Sequence, residues 1–392
     1  MTAVRQAAIV GLGYSEFSRD SGVGPGTLIA RAAKAAVLDS GVPKQDIDGV
    51  VGVYSTDSPT LWPAYVVDAL GLPNVTWWDS SSPPSVVALT AAAQAVVAGN
   101  CEYAICYHGK YRWATTSVAG RDDPFRQPPA YDFDADLTHG LVEHAGSMLW
   151  AARVMRQHMD RFGSTREDFG RIAINNRTHA VGNPRALFRT PMTMDDYLGA
   201  PMIDAPMCLL DMDAPLDGAM AVIVTTAERA RDLPHRPVVI EASASGLPCR
   251  SDGLLWPEAD AIAARRAATT LFSRTDYRPT DMDLAYPYDG FSVLAMLWLE
   301  ALFTEDGGGP ALLADAWSET DRQLRLFGRI PVCTHGGNLS EGRATQGFGH
   351  VLEAVAQLRG TAGDRQVPGD PRRAVITNGM AGTNRSVLLA AG

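Results

Sequence analysis

Polar side chains able to do chemistry gather in four short segments of this chain. The first, Ser82-Pro83-Pro84-Ser85, is a Ser/Pro-rich loop that opens a helix of small residues running to Gly99. The second is Tyr288-Asp289-Gly290-Phe291. The third is His335-Gly336-Gly337-Asn338-Leu339-Ser340-Glu341-Gly342-Arg343-Ala344, and the fourth Thr377-Asn378-Gly379-Met380-Ala381-Gly382. A hydroxyl at a helix start caps the helix or contacts an oxyanion, and without a neighbouring base it is a poor nucleophile. A tyrosine at a strand end is either a packed aromatic with a bonded hydroxyl or a proton carrier. His335, before two glycines, binds substrate or caps a turn. Arg343 pairs with Asp289 or Glu341, or holds an anionic intermediate. Gly336, Gly337, Gly379 and Gly382 suit tight turns, and their N–H groups can also line an oxyanion hole.

Other candidates carry less. Gly11-Leu12-Gly13-Tyr14-Ser15-Glu16 resembles a dinucleotide fingerprint only superficially, because Glu16 would repel a pyrophosphate. His139, Glu143 and His144 have a loosely metal-like spacing that one helix face with a satisfied histidine explains better. The cysteines Cys101, Cys106, Cys208, Cys249 and Cys333 are scattered and form no CxxC pair, so no metal site is expected. Trp77, Trp78, Tyr111, Trp113, Phe125, Tyr131 and Phe133 form an aromatic group suited to a core or to a bulky acyl pocket.

The elements that must position these groups alternate strand and helix. Strands are expected at Ala7–Val10, Ile47–Tyr54, Val75–Trp78, Glu102–Tyr107, Met220–Val224, Val238–Ala244, Asp283–Tyr286, Arg373–Thr377 and Ser386–Leu389. Helices are expected at Thr27–Ser40, Pro63–Leu70, Glu143–Phe162, Ala227–Asp232, Ala261–Phe272, Phe291–Ala301 and Gly347–Leu358. Such alternation implies a layered α/β fold. The second half repeats the order of the first, which gives two packed halves, 1–235 and 236–392. A long insertion, about 110–214, belongs to the first. With 392 residues, 46% of them hydrophobic, the chain can bury a large core. A net charge of −10 argues against nucleic acid and anionic membranes as partners. No apolar run approaches a membrane span and the N-terminus does not read as a signal peptide, so a cytoplasmic protein is expected. Lysine is scarce (Lys34, Lys44 and Lys110), which leaves arginine, or a partner, to bind any phosphate.

The block from Arg161-Phe162-Gly163 to Ala230-Arg231-Asp232-Leu233 resembles the sterol-carrier-type thiolases and their non-thiolytic relatives. Asn175-Asn176-Arg177, Asn183-Pro184, Leu209-Leu210-Asp211 and Pro215-Leu216-Asp217-Gly218-Ala219 carry that likeness, which extends more weakly over essentially the whole chain. The resemblance implies a thiolase fold, five-layered α-β-α-β-α. It also assigns the four segments. Counting back from Gly99, the family's nucleophilic cysteine falls on Ser82. A His-Asp-Cys-Phe segment is here Tyr288-Asp289-Gly290-Phe291, so the acid/base cysteine becomes Gly290. A Gly-His-Pro histidine becomes Arg343. Thiolysis needs a thiolate and a second proton-moving group, and neither is present at those positions.

The same resemblance points to the superfamily's steroid side-chain aldolases, which cleave a 3-hydroxyacyl-CoA by retro-aldol chemistry without a covalent step. It implies Tyr288 as base or proton shuttle, its pKa lowered by Arg343, with His335 beside them. Ser82, Asp289, Asn378 and Gly382 are the expected oxyanion or substrate contacts. Arg343 stands where a second family tyrosine is expected. Coenzyme A enters only as part of the substrate, and no other cofactor is expected. Relatives of this kind form homodimers and work with a small OB-fold, zinc-ribbon partner. The rivals are an acyltransferase or Claisen-type enzyme using Ser82, Cys101, Cys106 or Cys333, and a non-catalytic acyl-CoA- or lipid-binding subunit.

Overall fold

The computed structural model describes residues 5–53, 62–81, 85–110, 137–247, 258–379 and 384–392; of these, the side chains of 137–147 and 258–260 are left aside. Nine strands form the main sheet: β1 (Ala7–Tyr14), β2 (Gly49–Val53), β3 (Trp77–Ser81), β4 (Ala104–Lys110), β5 (Gly218–Thr226), β6 (Val238–Gly246), β7 (Leu284–Tyr286), β8 (Arg373–Asn378) and β9 (Asn384–Ala391). Their spatial order is β3-β2-β4-β5-β1-β6-β9-β8-β7. The central strands β2, β4 and β5 are buried at every residue, as strands covered on both faces must be.

The sheet is two copies of one topology. In the first half β1–β5 and β5–β4 are antiparallel, while β4–β2 and β2–β3 are parallel. In the second half β6–β9 and β9–β8 are antiparallel and β8–β7 parallel, and Ala285 of β7 bridges in parallel to Val332. The halves join through a short ladder between β1 and β6, Ala8↔Val239 and Ile9↔Val238.

Helices complete the layers. The outer face of the first half carries α1 (Pro25–Ser40) and α2 (Pro63–Leu70). Leu28, Ile29, Ala32, Ala33 and Ala36 give α1 a buried stripe at helical spacing. The helix stops where Gly41 turns left-handed (φ 70°) and donates its N–H to the Leu38 carbonyl. Between the halves lie α3 (Val86–Ala98) and, later in the chain, the equivalent helix Phe348–Arg359. Both pack in one cluster with Val51, Cys106 and Val222 of the first half and Leu284, Ile376 and Val387 of the second. The insertion supplies α4 (Leu137–Phe162) and α5 (Arg166–Ala180), and the outer face of the second half carries α6 (Glu258–Phe272) and α7 (Ser292–Phe303). The helix Phe348–Arg359 is α8. The arrangement is the five-layered α-β-α-β-α expected from the sequence.

The insertion departs from its place in the chain. Although α4 and α5 precede β5, they pack on the second half, where Trp150, Val154, Phe169 and Ile172 share a core with Leu294 and Trp298 of α7. That explains why α7 is buried on every face, with α6 on one side and α4 and α5 on the other. Buried Glu300 of α7 meets His158 of α4 at 3.0 Å and accepts the Gly309 N–H. Helix α5 was not among the sequence expectations, although Thr165 and Asp168 form a reciprocal capping box at its start. Among the described residues no helix is long and apolar enough to cross a membrane.

Candidate active site

Tyr288 leaves the end of β7 and is tied at once to the neighbouring strand, its N–H donating to Thr377 Oγ1 of β8 at 2.9 Å. The side chain is buried. Its ring stands between two glycines. A Cβ added at Gly290 would lie 2.8 Å from the Tyr288 hydroxyl, and one at Gly347 would lie 2.9 Å from ring carbon Cδ2. The tyrosine hydroxyl thus takes the space that a side chain at position 290 would need. Gly347 is also held left-handed, with φ 84°.

Two helix starts converge here. Helix α3 begins after Ser85 and α8 after Gly347. Ser85 Oγ lies 2.6 Å from His108 Nδ1 and donates to the Thr345 carbonyl at 2.6 Å. Asn378 spans the pair. Its Oδ1 accepts from Val86 N–H at 3.4 Å and its Nδ2 donates to the Gln346 carbonyl at 2.6 Å. Ser85, His108 and Asn378 are wholly buried. Two helix N-termini directed to one buried place favour negative charge there.

Asp289 has a different task. Its carboxylate accepts from Asn176 Nδ2 (2.6 Å), Asn338 N–H and Nδ2 (2.9 Å each) and Leu339 N–H (3.1 Å), and lies 3.1 Å from His350 Nε2. It therefore pins the short helix Gly337–Ser340, and a Cβ at Gly337 would fall 2.0 Å from it. Asp289, Cys333 and His350 bring ligand atoms within 4.8 Å of one another. The Asp289 oxygens are already occupied by those donors, so the donor set fits a structural cluster better than a cation.

His335 lies in the same layer, 3.8 Å from Glu341 and with its ring 5.1 Å from that of His350. Burial, then His350, Arg365 and Arg185, hold its imidazole well below the usual value, so it is neutral near pH 7. Burial pushes the Glu341 carboxyl up against the opposing pull of Arg185 and the Asn183 hydrogen bond. Arg343 meets neither acid expected for it. With Asp289 and Glu341 engaged elsewhere, its guanidinium lies 3.0 Å from Asp213, and its N–H donates to the Ala214 carbonyl. Asp213 is threaded beside the site by the Met212↔Phe291 bridge, and its N–H donates to the Gly290 carbonyl.

Of the sequence-chosen residues, the structure thus gathers Tyr288 and Asn378 about Gly347. It sets Asp289 and His335 in a buried layer with His350, and Arg343 beside Gly290 through Asp213. Ser82 and Gly382 lie outside the described residues, as do most of the aromatic group and the side chains of His139, Glu143 and His144. Trp77 and Trp78 sit on the edge strand β3. Sequence reasoning passed over Ser85, His108, Thr345 and Asp213. Ser85 was within reach, as the last serine before the helix, and so was His108, a lone histidine near the end of a buried strand.

One alternative loses its thiol nucleophiles. Burial raises the thiols of Cys101 (to about 12), Cys106 and Cys333, so none of the three is a thiolate near neutral pH. A cavity of about 700 Å³ lies away from Tyr288, between Thr334, Arg365 and Asp283. Its arginines are committed: Arg325 to Asp321, Arg329 to the Met282 carbonyl and Arg365 to Glu353.

Comparison with known proteins agrees with this fold. Residues 256–390 match the family described as thiolase C-terminal domain-like. A steroid side-chain-cleaving aldolase of Thermomonospora curvata is 31% identical, over 98% of each chain. A 17-hydroxy-3-oxo-4-pregnene-20-carboxyl-CoA lyase of Mycobacterium tuberculosis is 32% identical over 91% of this chain and 92% of its own. The solved structure of an Ltp2-ChsH2(DUF35) aldolase superposes with a TM-score of 0.83, at 29% identity and 98% coverage of both chains.

Proposed function

Because the chain belongs to the thiolase superfamily, among its steroid side-chain-cleaving aldolases, we propose a mechanism in which Tyr288 replaces the family's cysteine pair. The chain is a carbon–carbon lyase acting on an acyl-CoA. A 3-hydroxyacyl-CoA loses the proton of its β-hydroxyl to the Tyr288 phenolate. The Cα–Cβ bond breaks, the β-carbon leaves as a ketone or aldehyde, and the electron pair passes into the thioester enolate. The proton held by Tyr288 returns to the α-carbon and releases the shortened acyl-CoA. The enolate oxygen is assigned to the place where the starts of α3 and α8 meet. No covalent intermediate is needed, and coenzyme A enters with the substrate.

The observation that carries this reading is the pairing of Tyr288 with Gly290. The hydroxyl lies within 2.8 Å of where a Cβ at position 290 would stand, so tyrosine and glycine must change together. The acyl group we assign is a bulky, steroid-like one bearing a branched β-carbon. The test offers such 3-hydroxyacyl-CoA esters and measures ketone together with propionyl- or acetyl-CoA. We expect Tyr288→Phe to lower kcat by about 10²–10⁴-fold, the span of acid–base catalysis by one group. No release over a panel of side chains, or full turnover by the phenylalanine variant, would overturn the reading.

The assembly follows as part of the same proposal. We assign the edge strand β3 to a second copy of the chain. Trp78 is 60% and Trp62 66% exposed there, with their rings 6.2 Å apart, and an open strand edge with large apolar side chains invites pairing. Trp78→Lys should give a monomer by light scattering. A small OB-fold, zinc-ribbon protein is the expected second component, supported by the two-protein name of the similar solved structure. A cytoplasmic location is supported by the four cysteines among the described residues, all buried and unlinked.

A further inference from the structure

The Ser85 hydroxyl stands 2.6 Å from two atoms, the Thr345 carbonyl oxygen and His108 Nδ1, and all three residues are buried. A hydroxyl has one proton to give. The carbonyl has none, so it must receive that proton; otherwise two sets of lone pairs would face each other at 2.6 Å. Ser85 therefore accepts from His108. That fixes a proton on Nδ1, and in the neutral imidazole Nε2 is then the unprotonated nitrogen. The order is the reverse of a nucleophilic serine–histidine pair, in which the imidazole takes the serine proton. Ser85 is thus a strut and not a nucleophile.

The strut holds a strained turn. Gln346 has φ 46°, a left-handed conformation costly for a residue with a side chain, and Gly347 follows at φ 84°. Such a turn persists when its neighbours over-determine it. Here two successive carbonyls are held, Thr345 by Ser85 and Gln346 by Asn378. The Thr345 carbonyl also accepts from Phe348 N–H, at the start of α8. Gly347, at the end of the turn, lies against the Tyr288 ring.

We infer that Ser85 and His108 are positioning residues for Tyr288, acting through the Thr345–Gly347 turn and requiring the Nδ1–H form of His108. The inference rests on Tyr288 being the proton carrier, but half of its test does not. In protein labelled with ¹⁵N at histidine, the signals lost in His108→Asn identify the residue. Nδ1 should appear protonated and Nε2 unprotonated, and the opposite tautomer would overturn the lock without reference to catalysis. In the aldolase assay, Ser85→Ala and His108→Gln should each lower kcat by roughly a hundredfold, as a misplacement of about 1 Å does. KM should stay within about threefold, because binding is not what is lost. His108→Asn, whose amide can donate from near the Nδ1 position, should recover most of kcat. The double variant Ser85→Ala/His108→Gln should be no slower than either single one. If Ser85→Ala keeps the unaltered rate while His108→Asn falls as far as His108→Gln, the lock is wrong and His108 acts on substrate directly. If a variant does not fold, the tautomer of the unaltered protein decides. If Tyr288→Phe retains full turnover, the base assignment fails while the tautomer result stands.

Discussion

The two halves share a strand order and an order of helices, yet they contribute unequally at the seam. In each, a polar side chain near the end of a strand reaches a helix start: His108 of β4 in the first half, Asn378 of β8 in the second. His108 serves Ser85 of its own half. Asn378 crosses, binding the start of α3 and the turn before α8 together. The route into the helix differs too. From β3 to α3 the chain uses residues 82–85, whereas before α8 it uses 333–347, a stretch carrying His335, Glu341 and Arg343. Tyr288, Gly290, Arg343 and Asn378 therefore all come from the second half. Among the described residues the first half gives Asp213, a strut and a helix N-terminus. A repeated framework fixes where two helices meet, and the chemistry can then be loaded on one side.

That asymmetry can be broken at several points. The largest effect is expected for Gly290→Ala, which sets a methyl group 2.8 Å from the Tyr288 hydroxyl. Displacing the phenol should cost kcat roughly a hundredfold or more, read in the aldolase assay, with only a small fall in melting temperature. An equal loss of folding would mean that the glycine serves packing alone. Asn378→Ala unties the two helix starts. Val86 N–H and the Gln346 carbonyl then lose their partner, at about 1–3 kcal/mol for each buried group left unsatisfied, measurable by urea unfolding. A smaller effect concerns the covering of the second half by α5. Burial, with Arg325 adding to it, lowers the His179 imidazole to about 4. The folded state keeps it neutral while the unfolded state takes a proton below about 6.5. Its contribution is whole above that value and is lost as pH falls towards 4. His179→Gln should therefore lose less melting temperature between pH 7 and pH 4.5 than the unaltered protein; an identical loss would refute the assignment. The smallest effect is expected for Cys333→Ala, which should keep kcat within about threefold because a buried thiol is inert. Abolished activity would revive a cysteine mechanism.

Much of the framework was readable because local signals agree with the fold. Gly41 and Gly99 both adopt the left-handed conformation that ends a helix, and the apolar run of β5 is buried throughout. The candidate site was legible where a residue's position depends on its own strand end, as with Tyr288. It was illegible where a distant segment supplies the partner. Arg343 finds Asp213 because an isolated bridge brings 215 beside 343, and no spacing announces that. Ser82 and Ser85 were separated only by a count from Gly99, whereas hydrogen-bond geometry sets Ser85 against His108 and the Thr345 carbonyl. The insertion was visible as a change of composition, but the half it covers is a matter of topology.

That last point bears on how the protein is made. Helices α4 and α5 leave the ribosome before any part of the second half exists, and α7, the surface they bury, comes much later. Their apolar faces must wait, exposed or held by a chaperone, until that helix arrives. A chain severed between β5 and β6 should consequently yield not two soluble halves but an aggregating first fragment and a second fragment with α7 laid bare.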